Sequence, residues 1–157
     1  MNTESIITLL RWAAPVCFGL HVVEELIWPG GFIDWYHGYR PQLVGKPRSY
    51  YFKMNVVYFI GTLLVPLAPN NYALLFVSGL LLSNLLFTHV RGALKTRSYS
   101  PGIVTGLLYL PLALASYGFL LSHQQVSLRA ALGCLALSPL SEVYFALKKA
   151  DKAAIAA

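Results

Sequence analysis

The residues able to do chemistry are concentrated in one apolar stretch, CFGLHVVEELIW from Cys17 to Trp28, where His21, Glu24 and Glu25 interrupt a helical pattern. An imidazole beside carboxylates can pass a proton or hold a transition metal. Two adjacent carboxylates in a low-dielectric setting cannot both ionise comfortably, which places a proton donor beside a proton acceptor. At about 100° per residue, Cys17, His21 and Glu24 fall within about 60° of one another, and Glu25 sits one turn beyond His21, about 40° round. One helical face is therefore predicted to carry the imidazole and both acids. An ionised group in such a segment is costly unless paired, hydrated or metal-bound, so the trio is a site hypothesis.

The setting follows from composition. Hydrophobic residues make up 57% of 157 and charged residues 11%, too apolar for a soluble domain of this size. An all-α fold is expected, a polytopic membrane helix bundle forming one domain. The net charge of +6 is spread between apolar segments, which points to lipid headgroups as partners and excludes nucleic acid. Cys17 and Cys134 lie in apolar segments without metal-type spacing and read as reduced packing residues. The start of the chain lacks a basic run and a small-residue cleavage site, so no cleaved signal peptide is expected.

About five spans are predicted, at 5–28, 51–68, 72–90, 101–121 and 127–147. Trp12 and Trp28 bracket the first as interfacial anchors, although that segment could instead lie in the interface. Residues 29–50 are too polar to cross and read as a surface loop with a short helix near Asp34 to Tyr39, its tyrosines and His37 interfacial. The turn PLAPNN makes the second and third spans antiparallel neighbours. Ser100 and Pro101 read as N-cap and first helical residue of the fourth span, and Pro111 as its kink.

With five spans, Arg40, Lys46, Arg48, Lys53, Arg91, Lys95, Arg97, Lys148, Lys149 and Lys152 share one side, and Arg11 and Arg129 the other. This asymmetry predicts N-terminus out and C-terminus in, in the cell (inner) membrane. The same arrangement puts Asn55, Asn84, Thr88, His89, Thr105, Ser138, Ser141 and Glu142 at the depth of the first-span trio, in the inner half of the bundle. A cytoplasm-facing cavity would produce that clustering. Each of these residues also has a plain reading as an interhelical or interfacial contact.

The sequence His21-Val22-Val23-Glu24-Glu25, the pair Asn84 and His89, and the stretch Tyr99-Ser100-Pro101-Gly102-Ile103-Val104-Thr105 together resemble the HXXEE-domain family of small prokaryotic membrane proteins over roughly residues 14–120. The resemblance implies a multi-span inner-membrane protein and carries no activity with it. It marks His21, Glu24 and Glu25 as family positions, with His89 and Thr105 beside them, and does not reach Glu142.

Two classes of function fit. One is a membrane-embedded enzyme acting on a lipophilic small molecule, with His21, Glu24, Glu25 and His89 as catalytic residues. Within it, His21, Glu24, Glu25, His89 and Glu142 could instead hold zinc or iron, although HxxEE matches neither the HExxH zinc helix nor the ExxH di-iron element. The other class is a non-catalytic accessory subunit or a proton-coupled carrier. A carrier needs polar residues in both membrane halves, and the outer half here is almost wholly apolar.

Overall fold

A computed structural model describes residues 2–27 and 31–140. The described residues are helical throughout, without strands: α1 (Thr3–Ile27), α2 (Phe32–Tyr39), a 3-10 turn (Pro41–Leu43), α3 (Arg48–Leu63) and α4 (Tyr72–Asn84). A π-helical turn (Leu85–Val90) joins α4 to α5 (Arg91–Thr96), followed by α6 (Ile103–Gly106), α7 (Tyr109–Ser122) and α8 (Leu128–Leu137). Trp28, predicted as an interfacial anchor, lies outside the described residues, as do Ser141, Glu142, Lys148, Lys149 and Lys152.

The first helix shows why this bundle belongs in hydrocarbon. Its buried face carries Ile7, Ala14, Phe18, His21 and Glu25, at helical spacing. Its exposed face carries Leu9, Trp12, Val16, Leu20, Val23 and Ile27. A water-soluble amphipathic helix is arranged the other way, with its charges outside. Lipid removes the penalty on the exposed aliphatics and makes burial the only cheap place for the acids. Among the described residues, three stretches are long and apolar enough to cross a membrane: Thr3–Ile27, Tyr72–Thr96 and Ile103–Ser122.

The other two predicted spans are shorter as described. The second is α3, 16 residues long, after which turns bonded from Val65 N–H to the Thr62 carbonyl and from Ala68 N–H to the Val65 carbonyl bring the chain round. Arg11 ties this end to α1 by donating to the Ala68 carbonyl (3.1 Å) and Asn71 Oδ1 (2.9 Å). The fifth is described as α8 and its continuation to residue 140.

Among the described residues, two of three apolar clusters lie between the long helices. Ile7, Leu74, Leu75 and Leu120 pack at the Arg11 end; Ala14, Phe18, Leu81, Leu85 and Tyr109 pack nearer the polar residues. Small residues let α4 approach its neighbours, as expected where lipid supplies no hydrophobic drive between helices. Ser78 and Ser138 donate to the Leu74 and Cys134 carbonyls (2.7 Å each) and lie 3.3 Å from Ser116 Oγ and the Phe76 carbonyl, and Tyr117 donates to the Leu75 carbonyl (3.0 Å).

The start of the fourth span departs from expectation. The helix begins at Ile103, not Pro101, because Gly102 adopts φ 94° and interrupts the helical path. Ser100 is not an N-cap; its side chain contacts His89. The helix then breaks at residues 107–108 before α7 begins. Pro111 has no N–H for the Leu107 carbonyl, which accepts instead from Leu110 N–H (3.2 Å).

Candidate functional site

His21 and Glu25 lie one turn apart on the buried face of α1, and His89 reaches them from the π turn. A π turn changes the phase of the residues that follow, a feature frequent at functional sites. Here His89 is fully buried and its ring meets that of His21 edge-on, with centroids 4.6 Å apart. Glu25 Oε1 lies 3.3 Å from His21 Nε2 and 3.6 Å from His89 Nε2. Asn55 of α3 donates to the other carboxylate oxygen, Oε2, at 3.1 Å. The relative exposures of His21, Glu25 and His89 are 2%, 5% and 0%.

The outer ring nitrogens are held by the 100–102 loop. His21 Nδ1 lies 2.9 Å from the Gly102 carbonyl. A carbonyl only accepts, so Nδ1 carries a proton, and Nε2 is the nitrogen turned to Glu25. His89 Nδ1 lies 2.9 Å from Ser100 Oγ, which can act in either sense. His89 Nε2 is buried without a hydrogen-bond partner.

Glu24 points elsewhere. Consecutive residues on a helix diverge by about 100°, and Glu24 turns to the 99–105 segment while Glu25 turns to the histidines. The Glu24 carboxylate accepts from Tyr99 Oη, Gly102 N–H (2.9 Å), Val104 N–H (3.3 Å), Thr105 N–H (2.7 Å) and Thr105 Oγ1 (2.5 Å). It therefore ties α1 to the first turn of α6, accepting from the Val104 and Thr105 N–H groups while Ile103 N–H goes to the Ser100 carbonyl. The expectation of one face carrying both acids is corrected on this point: the rotation of about 100° between consecutive residues sends them into two environments. Tyr99, outside the spanning helices, is pushed up to about 12 by burial and then by its bond to Glu24 and that group's charge.

Gly102 makes both arrangements possible. Its positive φ favours glycine, and a Cβ there would lie 2.7 Å from His21 Cε1 and 2.9 Å from His89 Cε1. The family-like run from Tyr99 to Thr105 thus supplies Ser100 to His89, Gly102 to His21, and the remaining donors to Glu24.

Residues 12–116, about two thirds of the chain, match the model of the family described as protein of unknown function with HXXEE motif. The chain belongs to the HXXEE family. No curated protein and no solved structure matched it. In this HXXEE protein the motif's histidine and second glutamate meet His89, and its first glutamate holds the loop that positions both imidazoles.

Of the remaining predicted residues, Asn55, Asn84 and Thr88 line a cavity of about 50 Å³ with His21 and Glu25. The Asn84 amide oxygen is buried without a hydrogen-bond partner. Thr105 serves Glu24, and Glu142 lies outside the described residues. Cys17 and Cys134 are free thiols. The tyrosines of the 29–50 loop are expected at the interface, yet Tyr36 and Tyr39 of α2 are buried, in one cluster with Tyr51 of α3. Trp35 stacks on His89 (6.1 Å, 6°), and Tyr39 donates to the Phe87 carbonyl inside the π turn (2.6 Å). Trp35 and Tyr109 carry no signal in the sequence, and Gly102 stands out there only as a small residue of the family-like run, next to Pro101 in a turn-type pair.

A larger cavity of about 830 Å³ runs between α1 and α3 and shares Glu25, Asn55, Phe32 and Tyr51 with the small one. Its walls are mainly apolar, including Val23, Leu26, Phe52, Val56, Phe59 and Ile60, and Asp34 and Arg48 stand at its loop end.

Proposed function

We propose that this HXXEE protein is a multi-pass inner-membrane enzyme that acts on a lipophilic small molecule at the His21–Glu25–His89 site. The observation that carries the reading is the groove between α1 and α3, which joins an apolar channel to a buried, ionisable cluster at Glu25 and Asn55. Such a combination of apolar walls and few convergent polar groups is the usual form of a ligand site. An amphiphile would place its polar end toward Arg48 and Asp34 and its apolar portion along Val56, Phe59 and Ile60. Its reactive centre would then come beside Glu25, with His21 and His89 to relay or receive a proton. Glu24 holds the loop in this account and takes no part in the chemistry.

Five spans with the N-terminus out place the site in the cytoplasmic half. Support comes from the basic residues Arg91, Lys95 and Arg97, which flank the loop that covers the histidines. A carrier is disfavoured because, among the described residues, Ile7, Leu74, Leu75 and Leu120 pack together at the Arg11 end, where a transport path would need a polar opening.

The test is comparative lipid analysis of host membranes expressing wild type or Glu25→Gln at equal levels, with Val56→Trp to fill the groove. A lipophilic species depleted or produced by wild type and unchanged in both variants is expected. Identical profiles for wild type and both variants, from folded protein, would contradict the reading.

A further inference from the structure

We propose that His21 Nε2, His89 Nε2 and Glu25 Oε1 form a three-ligand site for a divalent transition metal, zinc first among them. The three residues offer ligand atoms all within 4.8 Å of one another, and all three are buried. Two separations, 3.3 and 3.6 Å, approach the edge of a tetrahedron with metal–ligand bonds of 2.0–2.1 Å, which is about 3.3–3.4 Å. Two imidazoles and one carboxylate are a recurrent donor set for zinc with one position left open, and for iron(II).

The hydrogen-bond geometry argues the same way. Because His21 Nδ1 donates to the Gly102 carbonyl, Nε2 is the ring atom turned to the Glu25 oxygen. The bond from Nδ1 to a carbonyl is also the partner that fixes the tautomer of a metal-ligating histidine. His89 supplies an independent observation: Nε2 is fully buried, lacks a hydrogen-bond partner and faces the same Glu25 oxygen. The 50 Å³ cavity beside the cluster, lined also by Asn55, Asn84 and Thr88, accommodates a small non-protein ligand on the open side of the ion. Asn84, whose amide oxygen is buried without a hydrogen-bond partner, lines the same cavity.

The inference rests on the cluster alone. Lipid conversion without metal would leave the proposed function standing and remove this one.

The experiment uses full-length protein in detergent, stripped with a chelator and titrated with Zn2+ alone, then with Co2+ as a spectroscopic probe. One ion per chain is expected, with visible d–d bands for Co2+ and a rise in melting temperature on Zn2+ addition. Glu25→Gln and His89→Gln should weaken binding at least about tenfold, and Ser100→Ala by about tenfold. The double variant His37→Ala/His123→Ala should bind as wild type. X-ray absorption of the zinc-loaded wild type supplies a readout that does not depend on any variant folding: two imidazoles with oxygen ligands and no sulfur are expected. No saturable binding by folded wild type, sulfur in the ligand set, or equal binding by the Glu25 and His89 variants would overturn the proposal.

Discussion

At the scale of single residues, Gly102 is the most constrained position of the site. An alanine there adopts a left-handed backbone at about 1–2 kcal/mol and also presses on both imidazoles. Gly102→Ala should destabilise by roughly 2–4 kcal/mol, seen as a lowered melting temperature in detergent. Tyr99 gives a pH prediction. Its phenol is raised from 10 to about 12 in the folded protein, so its contribution is fully present below pH 10 and is lost as pH rises toward 12. The melting temperature of wild type should fall across that window more steeply than that of Tyr99→Phe. Parallel curves would show that the phenol does not bond Glu24 in solution. The histidine and the two acids were legible because ionisable groups are conspicuous in apolar sequence. Their separation into two environments was not, since an angular difference of one residue does not say which neighbour waits on each side.

At the scale of elements, the π turn and α2 form one unit over His89. Tyr39 donates to the Phe87 carbonyl within the turn, and Trp35 stacks on the imidazole. Tyr39→Phe should cost about 0.5–1.5 kcal/mol and speed amide hydrogen exchange at 85–90 more than at 74–81. Equal exchange in both segments would remove the link between α2 and the turn. The short helix in the 29–50 loop could be expected from its spacing, but its docking on the site could not. Nothing local distinguishes an interfacial tyrosine from one that satisfies a buried carbonyl. The start of the fourth span at Ile103 was misread for a related reason: Ser-Pro is a sound helix-start signal, overridden here by the conformation that Gly102 needs to reach both histidines.

At the scale of the whole molecule, the fold class was readable because burial is inverted. Long apolar stretches with their few ionisable groups on one face specify a helix bundle in lipid, and three stretches of spanning length are present. The number of crossings was less legible, since α3 has only 16 residues and depends on neighbours for its placement. The charge asymmetry predicts the topology. A cysteine at Ser98, in a Cys17→Ala/Cys134→Ala background, should react with an impermeant maleimide only after permeabilisation, and labelling in intact cells would reverse the assignment.

The division of labour between the two motif glutamates is the central claim, and paired melting curves of Glu24→Gln and Glu25→Gln in metal-free detergent solution test it most directly. Glu24→Gln replaces an acceptor of five hydrogen bonds by an amide that cannot accept them all, and should lower stability by about 1–3 kcal/mol. Glu25→Gln removes a buried charge beside two imidazoles and should leave stability unchanged or raised while abolishing function. Equal destabilisation by both amides, or destabilisation by Glu25→Gln alone, would contradict the account.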